Sequence, residues 1–67
     1  STILTVDLGD LNGVNTTIRL HDSSSKIVFE KQASSNLTID VSGFAKGMYL
    51  LELIANEKVL RNQVMID

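Results

Sequence analysis

Apolar residues recur at every second position in short runs, and polar clusters separate the runs. This is the pattern of strands that bury one face. Leu4, Val6 and Leu8 share a face, with Thr5 and Asp7 opposite. Gly9-Asp10-Leu11-Asn12-Gly13 predicts a loop, because glycine and asparagine tolerate positive φ. A second strand is predicted over 14–21, with Ile18 and Leu20 inward and Thr17, Arg19 and His21 outward. Asp22-Ser23-Ser24-Ser25 predicts a tight connection in which the Asp22 carboxylate bonds backbone amides as an Asx turn. The third strand spans 26–32, with Ile27 and Phe29 on one face and Val28 on the other. The short link predicts an antiparallel hairpin between these two strands.

After the polar turn Ala33-Ser34-Ser35-Asn36, Leu37, Ile39 and Val41 alternate with Thr38 and Asp40. The segment Ser42 to Gly47 sets two glycines around Phe44, which predicts a loop that drops the ring into the end of the core. Residues 48–54 are apolar on both faces: Tyr49, Leu51 and Leu53 on one, Met48, Leu50 and Ile54 on the other. That predicts a central strand covered on both sides. A turn over 55–58 leads to a last strand, with Val64 and Ile66 on one face and Val59 and Met65 on the other. The expectation is an all-β chain: a small, antiparallel, immunoglobulin-like β-sandwich of about six or seven strands, forming one domain over residues 1–67.

Composition narrows the chemistry. Cysteine is absent, which removes disulfides and thiolate zinc sites, and the one histidine, His21, cannot build a multi-histidine metal site. The net charge is -2 with both signs interspersed, so no basic stripe suits nucleic acid. The longest apolar stretch, Met48 to Leu51, ends at Glu52 and is far too short to insert in a membrane. The chain starts at Ser1 with no charged-then-apolar leader and reads as a piece of a larger protein. Proline is absent, so edge strands rely on charge or twist for protection, and their pairing into a homodimer is expected.

A catalytic set does not assemble. The serines cluster in turns, and His21 and Asp22 are strand neighbours that face opposite sides, which leaves His21 facing solvent. Asp7, Asp10, Glu30, Asp40, Glu52 and Glu57 are scattered and predict solvated surface charge. Asp7, Asp10 and Asn12 loosely match an oxygen-rich calcium loop but lack its terminal glutamate, and an ordinary connection is expected. Asn15-Thr16-Thr17 and Asn36-Leu37-Thr38 match the glycosylation sequon, a pattern frequent by chance. Phe44 and Tyr49 are expected in the core rather than on a sugar-binding platform. The reading is no enzyme, no cofactor and no metal.

Two stretches resemble a known family. Leu20-His21-Asp22-Ser23-Ser24-Ser25-Lys26-Ile27-Val28 resembles its apolar-x-Asp-x-x-Gly-Lys-x-Val hairpin. Leu37 to Tyr49 resembles its Ile-Asp-apolar-Ser-x-apolar-x-x-Gly-x-Tyr signature. With Leu4-Thr5-Val6 and the segment from Lys58 to Asp67, nearly the whole chain is similar to the type A C-terminal sorting domain of type IX secretion cargo from Bacteroidetes-type bacteria. Ser25 stands where the family usually has glycine, the Asn-Pro segment ahead of the first strand is missing, and Arg61 is the last basic residue. The resemblance implies a sorting signal that turns on Asp22, Lys26, Asp40, Gly43, Gly47 and Tyr49, with Lys58 and Arg61 as basic residues for recognition. It implies an outer-membrane translocon and a surface sortase-like peptidase as partners, transit through the periplasm, and a destination at the cell surface or outside the cell. The strand pattern alone equally serves an extracellular immunoglobulin-like binding or spacer module of an adhesin or glycanase. Such a module need not lie at the C-terminus of its parent.

Overall fold

The structure, a computed structural model, describes residues 3–67. Among these are six strands, β1 (Ile3–Val6), β2 (Thr16–His21), β3 (Ile27–Ala33), β4 (Leu37–Asp40), β5 (Gly47–Ala55) and β6 (Lys58–Ile66), and no α-helix. One sheet pairs β1 with β4; the other runs β3-β2-β5-β6, and every pairing is antiparallel. The two sheets share one core. Val6 and Ile39 come from the two-stranded sheet, and Ile18, Leu20, Tyr49, Leu51, Leu53 and Ile66 from the four-stranded one. This is the β-sandwich that the alternation predicts.

The local chemistry explains the connections. Asn56 and Glu57 both adopt positive φ (48° and 68°), a two-residue turn whose twist matches the paired strands it joins. Asp22 closes the β2–β3 hairpin as expected: its Oδ1 accepts the backbone N–H of Ser24 and of Lys26, both at 2.9 Å. Ser25 sits at φ 66°, where glycine is favoured, so the departure from the family pattern is met with backbone strain. The connection after β1 is more ordered than a plain loop. Asp7 Oδ1 accepts the Gly9 N–H at 2.9 Å, and residues 9–11 form one 3-10 turn. The first strand stops at Val6, yet Leu8 remains buried because its N–H donates to Asn36 Oδ1 at 2.8 Å, which ties two loops together.

One expectation is corrected. The apolar run of β5 is not covered on both sides. β1 and β4 are four residues each and lie over the inner face only. On the outer face Met48 is 41% exposed, and Leu50 and Ile54 are half-buried.

Candidate recognition surface

The signature stretch between β4 and β5 is spent on its own shape. The Asp40 carboxylate accepts the Ser42 N–H at 3.0 Å, and the Phe44 N–H donates to the Val41 carbonyl at 3.0 Å. The bond from the Ser42 backbone N–H, with a second from the Ser42 side chain, holds the Asp40 carboxyl below its ordinary value. Gly47 has φ 144°, a conformation that a side chain would strain. It turns the chain so that Tyr49 enters the core. The Tyr49 hydroxyl then donates back to the Ala45 carbonyl at 2.6 Å, and its ring stacks on Phe44 with centroids 6.1 Å apart. The arrangement is similar to the tyrosine corner of immunoglobulin-like sandwiches, in which a buried ring is fixed by a hydroxyl bond to nearby upstream backbone. Phe44 is half-buried against the core, the plug that the sequence predicts.

The two motifs meet. Asp22 and Ser23 of the hairpin tip, Met48, Tyr49 and Leu50 of β5, and Gln63 of β6 line one open groove of about 210 Å³. Lys26 is exposed at the rim of the same turn, and Gly43 is exposed in the signature loop. Lys58 lies elsewhere, at the far end of the β5–β6 hairpin, and is exposed. Arg61 is mid-strand on β6, opposite Glu52 in the register.

Glu52 is the residue that sequence reasoning missed. It lies on the outer face of β5 with its side chain only 10% exposed. Arg61 donates to its Oε2 through Nε at 3.0 Å, and His21 approaches its Oε1 through Nε2 at 3.2 Å. Arg19 stands 3.9 Å from Oε1 and also bonds Glu30. A row of alternating charge therefore crosses the sheet from Glu30 through Arg19 and Glu52 to Arg61. Two expectations are corrected here. His21 does not face solvent, since its side chain is only 17% exposed, and Glu52 is not a solvated surface charge. The hydrogen bond from His21 is the largest influence on Glu52 and holds its carboxyl below the ordinary value; Arg61 adds to this and burial opposes it. An ionised carboxylate can only accept, so His21 Nε2 carries the proton between them. The available signal was a charge inside an apolar run, which is tolerated only when paired.

The family model for the secretion system C-terminal sorting domain matches residues 1–67, the full length of the chain. The chain belongs to this family. A comparison with curated proteins finds no match. A sorting domain of this family is a signal for type IX secretion: it engages that system and marks its carrier for the cell surface or for release. Such domains are typically non-catalytic. Among the described residues, no group of three or more histidine, aspartate or glutamate side chains could hold a metal ion. The polar groups of Asp22, Asp40 and Tyr49 all bond the protein's own backbone.

Proposed function

We propose that residues 1–67 act as one folded address that directs an attached cargo from the periplasm through the outer-membrane translocon. A surface sortase-like peptidase then cuts ahead of the domain. The observation that carries this reading is that the family's signature residues build shape instead of reactivity. Asp40, Gly47 and Tyr49 hold one loop, and Asp22 holds the adjoining turn. The translocon reads the surface that these residues keep in place, including the groove between the hairpin tip and the start of β5.

Lys26, Gly43 and Lys58 are exposed and supply contacts. Arg61 is 60% exposed at its side chain although it bonds Glu52, so its outer nitrogens serve a partner as well. Fusing the chain to a secreted reporter in a bacterium with this pathway tests the proposal. The reporter is expected at the cell surface or in the medium. Retention in the periplasm overturns the reading. Gly47→Val should reduce export along with the fold, whereas Lys58→Ala should reduce export while the melting temperature stays unchanged.

A further inference from the structure

The edges of the two sheets are protected unequally. β1 and β4 offer only four residues each. At β3 the register shifts beside His21, and the pairing with Ile18 sets Lys31 on the inner face. A bulge and an inward lysine are both ways of blocking an edge. β6 has neither. Its nine residues pair with β5 in unbroken register, and no strand among the described residues lies on its other side.

The sequence of this open edge reads nearly the same in both directions. Val59-Leu60 and Val64-Met65 flank the polar centre Arg61-Asn62-Gln63. We infer that β6 pairs antiparallel with β6 of a second copy, centred on Asn62. The turn at Asn56-Glu57 closes on the hydrogen-bonded pair Ala55 and Lys58. Alternation from there directs the backbone groups of Leu60, Asn62 and Val64 toward β5, and those of Val59, Arg61, Gln63 and Met65 outward. Two copies join only in registers that set these outward residues against one another. Centring on Arg61 places the two Arg61 side chains face to face, and like charges directly opposite are unfavourable. Centring on Gln63 leaves Val59 beyond the overlap. Centring on Asn62 uses all four outward residues: Val59 meets Met65 of the second copy, and Arg61 meets Gln63.

This register also covers the exposed apolar surface of the edge. Val59 is 44% exposed, Met65 61% and Leu60 47%. The first two face each other across the seam on the outer side. Leu60 meets Val64 of the second copy on the inner side. Arg61 is drawn toward Glu52 of its own chain, and so away from Arg61 of the second copy. The product is a continuous eight-stranded sheet, twice the four-stranded one.

Sedimentation of the chain across a concentration series tests this, with a reversible dimer expected. Val59→Lys should weaken the dimer at least about tenfold, since it disrupts two symmetric contacts. Adding Met65→Glu to the same chain should restore it, because the new charges face each other only in this register. Asn62→Cys tests the centre without relying on affinity. A non-hydrogen-bonded antiparallel pair holds its Cα atoms about 4.5 Å apart, inside the disulfide range. The chain has no other cysteine, so oxidation should give a covalent dimer. Gln63→Cys, which would face Arg61 of the second copy, should stay largely uncrosslinked. A monomer at every concentration, or equal crosslinking at both positions, overturns the inference.

Discussion

The two faces of β5 are built from similar residues and held by different forces. Tyr49, Leu51, Leu53 and Ala55 on the inner face are buried under a second sheet. Met48, Leu50 and Ile54 on the outer face have no covering layer and flank a row of paired charges centred on Glu52. One face is stabilised by removing apolar area from water; the other relies on lateral contacts between strands. Stability therefore concentrates on one side and leaves the other available to be read. A domain near this size buries only about 60% of the surface its unfolded chain exposes, so it cannot cover both.

The sharpest way to break the comparison is to truncate both faces. Leu53→Ala should destabilise by about 2–4 kcal/mol, whereas Leu50→Ala should cost about 1 kcal/mol or less. In a chain this short each kcal/mol moves the melting temperature by about 4–8 °C, so thermal unfolding separates them readily. Equal losses would mean that the outer face is as well packed as the inner one.

Next in size is the hinge that sets Tyr49 on its face. Gly47→Val should cost more than about 1 kcal/mol, because φ 144° strains any side chain although the space around Gly47 is open. Tyr49→Phe isolates the lock from the burial. It keeps the ring on Phe44 and removes only the bond to Ala45, for a loss of about 1 kcal/mol. An unchanged melting temperature in Gly47→Val would show that the glycine is dispensable to the entry of Tyr49 into the core.

The inner faces of β2 and β5 were legible from alternation alone. On β3 a register shift sets Ile27 opposite outward His21 and Phe29 opposite inward Leu20, so these two do not share the face that alternation predicts. Ile18 with Leu20, and Tyr49 with Leu51 and Leu53, point inward as their spacing predicts. The Asx turn at Asp22 followed from local backbone chemistry, and the left-handed Ser25 from the glycine that the resembled family usually carries there. The outer face was not legible, for two reasons. Apolarity of Met48, Leu50 and Ile54 says nothing of whether a second layer exists to cover them. The partners of Glu52 depend on β2 and β6 flanking β5, an order that passes over β3 and β4 in sequence. Register, not composition, brings Arg19, His21 and Arg61 to one carboxylate.

The smallest expected effect tests whether that carboxylate supports the outer face. The folded Glu52 carboxyl lies below its ordinary value near 4.5, chiefly through the His21 hydrogen bond. Ionised Glu52 therefore adds stability that is fully present above about pH 5 and is lost as pH falls through the lowered folded value. Glu52→Gln should cost about 1 kcal/mol at neutral pH, since it weakens the bonds to Arg61 and His21 and leaves Arg61 without its carboxylate, while Arg19 keeps Glu30. The gap from the parent chain should close as the pH approaches 2, where both chains are uncharged at this position. Asp40, whose carboxyl is also lowered, leaves a residual acid slope in the variant, and adding Asp40→Asn should flatten it. A gap that stays constant from pH 7 to pH 2 would assign the Glu52 contribution to packing, and the contrast between the two faces of β5 would lose its electrostatic half.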